Sequence, residues 1–145
     1  MTFNAANFSD LSAGQLYEIL KSRMEVFMLE QQIHCLDMDN VDYRSRHCFL
    51  EDRGRVLAYL RAFYGEDRNS LQIGRVLTLH HGQGLGRELM CRTLEDLREN
   101  MPCQKLVLHS QTHAMGFYEK FGFRTVSEEF LEEGIPHVTM ELEMA

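Results

Sequence analysis

The stretch His80-His81-Gly82-Gln83-Gly84-Leu85-Gly86 sets glycines at alternating positions, between an apolar run that reads as a strand and a segment that reads as a helix. Glycine admits positive φ and lets a ligand come close to the backbone. A helix starts with amide N–H groups that have no internal acceptor and with a partial positive charge. A turn of this kind is an anion site, and phosphate is its ordinary guest. Spacing separates it from two other phosphate loops. A P-loop carries Lys and then Ser or Thr after its last glycine, whereas Arg87 and Glu88 follow Gly86. A dinucleotide fingerprint reads G-x-G-x-x-G near the first strand, whereas this one reads G-x-G-x-G late in the chain. Taken alone, the glycines would serve equally well to turn the chain.

The histidines and cysteines make no metal pattern. His109 and His113 stand four apart, and His34-Cys35 and His47-Cys48 are adjacent pairs. None forms H-E-x-x-H or a paired C-x-x-C. Seven histidines in 145 residues give such spacings by chance, so no metal is expected. Cys35, Cys48, Cys91 and Cys103 read as free thiols rather than a disulfide framework.

The elements that must position these groups follow from periodicity. Residues 12–28 read as a helix, with Leu16, Ile19, Leu20, Met24, Phe27 and Met28 on one face. Ser12 caps it, and Gln15 completes a capping box. Arg23 is the exception on that apolar face. It meets a carboxylate or a ligand, or lays its stem along the stripe. Residues 31–46 are polar and read as a loop holding at most a short helix. Residues 47–51 and 56–64 read as strands joined by a turn at 52–55, and residues 71–79 as a third strand. Gly74 inside that strand marks a bulge or a close approach. A helix over 84–100 stops before Pro102. Residues 105–110 form a strand buried on both faces, 113–121 a short helix, and 123–130 and 138–143 two more strands. The order predicts an α/β or α+β mixed sheet with helices packed on it, in a single domain spanning 1–145.

The net charge of −7 speaks against nucleic-acid binding, which needs a basic surface. It favours an amine cation as partner by long-range attraction, and serves solubility equally well. No apolar run reaches the roughly 18–20 residues of a membrane span. The N-terminus lacks the basic and apolar regions of a secretory signal, so a cytoplasmic protein is expected.

A second motif gives the glycine loop its context. Ala114-Met115-Gly116-Phe117-Tyr118-Glu119-Lys120-Phe121-Gly122-Phe123, in order after the glycine loop, resembles the GNAT superfamily of acetyl-CoA-dependent N-acetyltransferases. That family carries [Q/R]-x-x-G-x-[G/A] between its fourth strand and third helix, then A-x-x-[F/L]-Y-x-[K/S]-x-G-F. The second motif is matched in full, and the first except for His81 at its opening position. The likeness extends to the ElaA-like subgroup over nearly the whole chain. It includes Leu16-Tyr17, Arg23, Val26-Phe27, Glu30-Gln31, Asp39, Asp42, His47, Ile73-Gly74-Arg75-Val76, Gln111, His113, and Glu132-Glu133-Gly134-Ile135-Pro136-His137.

The resemblance implies a mostly antiparallel sheet with one parallel, splayed strand pair, and acetyl-CoA as acyl donor. It implies pyrophosphate contacts from Gly82, Gln83, Gly84, Leu85, Gly86 and Arg87, with His81 beside them, and backbone pairing of the pantetheine arm at Leu77 and Leu79. Transfer from a thioester to an amine needs the amine deprotonated, the oxyanion hydrogen-bonded and the thiolate protonated. Tyr118 is the expected acid, since a phenol can donate to a thiolate. His137 leads as base, its ordinary pKa lying near working pH. Glu30, Asp39, His47 and His113 compete with it as base, each serving equally well as a structural hydrogen-bonding group, and with Arg23 they are the candidates at the acceptor site. The acceptor is expected to be an amine of a small molecule or protein, and the superfamily likeness implies a homodimer. Two other readings stand beside this one. Acyl-homoserine-lactone synthases share the fold and an early pattern like Arg23, Val26-Phe27 and Asp39, but lack the glycine motif. A CoA-binding sensor would keep the loop without turnover.

Overall fold

Side chains on neighbouring residues of 47–62 enter two different apolar surroundings, so the strands here must be covered on both faces. Cys48, Leu50, Ala58 and Leu60 pack with Leu89, Leu97, Leu106 and Met140. Phe49, Val56 and Tyr59 pack with Ile19, Val26 and Leu77. A computed structural model describes residues 1–144 and shows how this is met. The strands are β1 (Thr2–Asn7), β2 (Arg46–Asp52), β3 (Arg55–Tyr64), β4 (Ser70–Thr78), β5 (Lys105–Gln111), β6 (Arg124–Thr125), β7 (Phe130–Glu132) and β8 (Ile135–Glu143). The helices are α1 (Ala13–Arg23), α2 (Leu85–Asn100) and α3 (Met115–Glu119). One mixed sheet runs β1-β2-β3-β4-β5-β8-β6, with β7 also on β8. Only β4 and β5 pair in parallel; the neighbours on either side are antiparallel. The two cores place α2 on one face and α1 on the other.

Most expected elements stand where the periodicity put them, and the differences have local causes. The capping box of Ser12 and Gln15 is present in both directions. The helix it starts is α-helical only to Arg23 and continues over Met24–Glu30 as a π-helix. There Gln31 N–H donates to Val26 O across five residues. Strand β1 was not expected: it is a short edge strand paired to β2, with Phe3 and Ala5 packed on the core. The strand expected over 123–130 is corrected to the short pieces β6 and β7. Between them Ser127 Oγ accepts the Thr139 N–H, so a side chain takes the place of a ladder carbonyl. The 31–46 loop holds one 3-10 turn, Val41–Arg44.

The bulge expected at Gly74 is real. Tyr59 faces Leu77 and Arg61 faces Gly74, so β4 carries one extra residue. Positive φ falls on Arg75 (54°), not on Gly74. A non-glycine residue there is strained, and ion pairs hold it. Arg75 Nε donates to Asp37 Oδ1 at 2.8 Å, and Asp37 Oδ2 accepts from Arg23 Nε at 2.9 Å. Asp42 Oδ1 accepts from Arg23 Nη1 at 2.7 Å and Arg61 Nη1 at 3.0 Å. Asp39 takes both terminal nitrogens of Arg61 in a fork. The network clamps the 31–46 loop onto the sheet at the bulge. Beyond it the parallel pairing stops at Ile73 and Leu108. β4 runs on to Thr78, and β5 leaves with β8.

The arginines set the charge states. Arg61 hydrogen bonding holds the Asp39 carboxyl well below its ordinary range against a smaller desolvation cost. Burial opposes charge on Asp42, but Arg23 and Arg61 outweigh it and lower its pKa. Burial also opposes charge on Arg23, and Asp42 with its neighbours reverses that. Arg23→Ala would leave Asp37 and Asp42 short of their cation. It is expected to cost about 3–5 kcal/mol in urea unfolding, where an exposed arginine would cost under about 1.

His47 lies fully buried beneath the network. Its Nε2 is 3.0 Å from Asp42 O and its Nδ1 2.7 Å from Tyr59 Oη. The carbonyl can only accept, so Nε2 carries the proton and Tyr59 donates to Nδ1. Burial lowers the His47 pKa below its ordinary 6.5. The unfolded chain therefore takes up the proton first, and stability is lost as pH falls below about 6.5. The urea midpoint is expected to drop between about pH 7 and about pH 5. His47→Gln, which keeps an N–H for Asp42 O but does not titrate, should flatten that limb.

Candidate functional site

The parting of β4 from β5 opens a cleft of about 880 Å³. It is walled by the glycine turn and first turn of α2, by α3, by the β7–β8 hairpin, and by the π-helix with the 31–37 segment.

The start of α2 is unlike that of α1. Gly84 is its N-cap, at φ 73°, and no side chain caps it. The first intrahelical bond runs from Glu88 N–H to Gly84 O. The amides of Leu85, Gly86 and Arg87 thus precede the helix's own acceptors, and all three residues line the cleft. Gly82 also has positive φ, 77°, with open space where a Cβ would stand. Gly86 answers a different need. A Cβ there would come within 3.2 Å of the Phe117 ring and 3.7 Å of Thr78 Cγ2. That ring packs α3 directly onto the first turn of α2. His80, His81, Gly82, Gly84 and Arg87 line the same wall; Gln83 does not. His81 is largely exposed, and its Nε2 lies 2.8 Å from Glu30 Oε1. Two residues expected in separate roles therefore bridge the π-helix to the glycine turn.

The exposed strand edge needs a correction. Leu79 N–H donates to Leu57 O at 2.8 Å, so it is spent on the β3 side. Leu77 lies in register with Tyr59 two residues back and by alternation also turns its polar groups to β3. Val76 and Thr78 turn theirs toward the gap that β5 has left. The bulge decides this by adding one residue to β4, and one residue reverses which amides face which side.

Tyr118 is 7% exposed and lines the cleft. Phe117 and Phe123 meet its ring edge to face, at 5.1 and 5.8 Å. Desolvation in this apolar seat pushes its hydroxyl up to about 12, so it stays protonated across the neutral range.

His137 is also 7% exposed and lines the cleft. Its Nδ1 lies 2.7 Å from Ile135 O, which assigns the proton to Nδ1 and leaves Nε2 as the basic nitrogen. Strand register brings its neighbours to one face: Gln111 pairs with His137, and His137 with Phe130. Gln111 Oε1 accepts from His113 Nε2 at 2.7 Å, and Gln111 Nε2 donates to Gln31 Oε1 at 3.2 Å. His113, Gln111 and Gln31 all line the cleft. Arg23, Asp39 and His47 do not; their polar atoms are spent inside the ion network. Arg61, Asp37 and Arg75 were missed as partners. An arginine alone in the apolar run 56–64 was the available signal, because a buried charge requires a counter-charge. No group of three or more metal-binding side chains has ligating geometry among the described residues.

Residues 8–144 match the family model of the acetyltransferase (GNAT) domain. Protein ElaA of Escherichia coli is 36% identical over 141 residues, covering 94% of this chain and 92% of ElaA. Its crystal structure superposes with a TM-score of 0.89 over 97% of each chain. An acyl-CoA N-acyltransferase from Pseudomonas aeruginosa gives the same TM-score at 32% identity, over 97% of this chain and 99% of that one. An aminoglycoside 6'-N-acetyltransferase complexed with coenzyme A is alike in fold alone, at 10% identity and TM-score 0.76, over 100% of this chain and 98% of that one. With its uncapped helix start, bulged fourth strand and splayed parallel pair, the chain belongs to the GNAT acetyltransferase family, in its ElaA-like branch.

Proposed function

We propose that this acyltransferase moves an acetyl group from acetyl-CoA to a primary amine of a small molecule or protein, by direct attack on the thioester. One observation carries the reading: the uncapped first turn of α2 and Tyr118 line the same cleft. Free N–H groups and the helix dipole suit a diphosphate. Gly82 and Gly84 leave room for it, and Arg87 adds charge. Val76 and Thr78 offer strand-edge hydrogen bonds to an amide-bearing arm, and an N–H among them suits the developing oxyanion. A related fold with coenzyme A bound supports the donor. The free thiols Cys35, Cys48, Cys91 and Cys103 accord with work in the cytoplasm.

Acetyl-CoA supplies an activated acyl group. The chain's residues then manage protons. The acceptor nitrogen gives up two protons overall, the departing sulfur takes one, and one reaches solvent. In this reading His137 takes the first on Nε2, the nitrogen left bare when Nδ1 donates to Ile135 O. In this reading Tyr118 donates to the sulfur. Its hydroxyl at about 12 is a weak acid, yet the apolar seat that raises a phenol also raises a thiol beside it. The pair stays matched for transfer.

Tyr118→Phe is expected to keep coenzyme A affinity and lower kcat at least about tenfold. Because Tyr118 holds its proton, the wild-type rate should show no basic limb from it below about pH 11. Gly84→Ala places a Cβ at φ 73°, costing about 1 kcal/mol in stability, and should weaken coenzyme A binding several-fold in calorimetry. Thiol release from acetyl-CoA with a panel of primary amines tests the reaction itself. Tight coenzyme A binding without release for any amine would make the chain a sensor instead.

A further inference from the structure

The β7–β8 hairpin carries a carboxylate that the proposed chemistry has not used. Glu133 (φ 51°) and Gly134 (φ 74°) make a two-residue turn between the paired Glu132 and Ile135, a left-handed hairpin turn. This register puts Glu132 on the same side as His137 and, across β8, His109. Glu132 Oε1 lies 2.8 Å from His109 Nδ1. A carboxylate only accepts, so His109 Nδ1 donates and holds the carboxylate in place. Phe130 backs both imidazoles, stacked on His137 at 6.2 Å and edge to face with His109 at 5.1 Å.

The other oxygen, Glu132 Oε2, stands 3.5 Å from His137 Nε2. In the neutral ring that nitrogen is the bare one, since Nδ1 donates to Ile135 O. In that neutral form two acceptors stand side by side, the carboxylate oxygen and the bare ring nitrogen. The pair suits a guest with at least two N–H groups and a positive charge. A primary ammonium has both. A hydroxyl brings one donor and no charge, and a secondary amide brings one N–H and no charge. Glu132, His109 and His137 all line the cleft.

We propose that Glu132 and His137 together form the seat for the acceptor's ammonium, so that the enzyme binds its amine as the cation. This rests on the acyl-transfer reading above and adds the acceptor's charge state and its anchor. The ammonium gives one N–H to Glu132 Oε2 and one to His137 Nε2. The latter proton moves to Nε2, giving an imidazolium beside the carboxylate and a neutral amine. The nitrogen lone pair then forms the C–N bond, the C–S bond breaks, and the nitrogen's second proton leaves as the sulfur gains one. Glu132 offsets the imidazolium charge and does not itself take the proton.

The test uses n-butylammonium as the charged probe and n-butanol as its neutral counterpart, read on the histidine ring nitrogens by NMR, with and without Glu132→Gln. Butylammonium should move the His137 and His109 signals, butanol should not, and Glu132→Gln should weaken butylammonium binding at least about tenfold. In turnover, Glu132→Gln should raise KM for butylamine by a similar factor and raise KM for aniline, uncharged at neutral pH, by clearly less. Glu132 is exposed, so circular dichroism and coenzyme A affinity should match wild type. Equal shifts from butanol, no binding of butylammonium, or equal KM changes for both amines would overturn the ammonium seat. Bound butylammonium with no thiol release from any amine would instead overturn acyl transfer and leave the seat standing.

Discussion

A buried guanidinium must have carboxylates, and in this chain that requirement shapes the site. Arg23 comes from the end of α1, Arg61 from the middle of β3 and Arg75 from the bulge in β4. Asp37, Asp39 and Asp42 all come from one loop. The charges balance three against three, and each guanidinium is answered within 3 Å. Removing water from such groups costs several kcal/mol per ion unless each is paired and hydrogen-bonded. The loop therefore has one low-energy place, over the bulge. With the loop there, Arg75 can keep its left-handed backbone, the bulge persists, and β4 parts from β5 to make the cleft.

The cleft's electrostatics differ from wall to wall. Uncapped amides at the start of α2 present partial positive charge; the β7–β8 hairpin presents the Glu132 and Glu133 carboxylates. Between them lie apolar groups from Ile73, Leu108, Phe117 and Tyr118. The two walls thus attract groups of opposite charge. In the apolar middle, burial makes the Tyr118 hydroxyl hold its proton firmly. The acidic net charge of the whole chain adds a long-range pull on a cation.

Backbone irregularity does much of the positioning. The π-helix after α1 brings Val26 and Phe27 to the cleft wall, and π segments are frequent at functional sites. The extra residue in β4 exchanges which amides face the gap, moving the open edge from Leu77 and Leu79 to Val76 and Thr78. Neither device is visible as a motif. Each is a shift of one residue in a hydrogen-bond pattern, and period-two or period-3.6 readings of apolar residues pass over such shifts.

By itself the sequence determined most of the element types and their order, the capping box at Ser12, the glycine turn before α2, and the family. These rest on local chemistry: glycine's φ freedom, helix caps, and apolar spacing within a few residues. It also named Tyr118 and His137, which the fold brings to one cleft. What only the tertiary structure decided involves partners far apart in the chain. Arg23 and Arg61 find Asp42 from 19 residues away, Arg75 finds Asp37 from 38, and Glu132 reaches His109 from 23. The weak edge strand β1 needed β2 before it could be a strand at all. Such pairings depend on sheet register and on what burial does to a charge, and neither is written in the residues that take part.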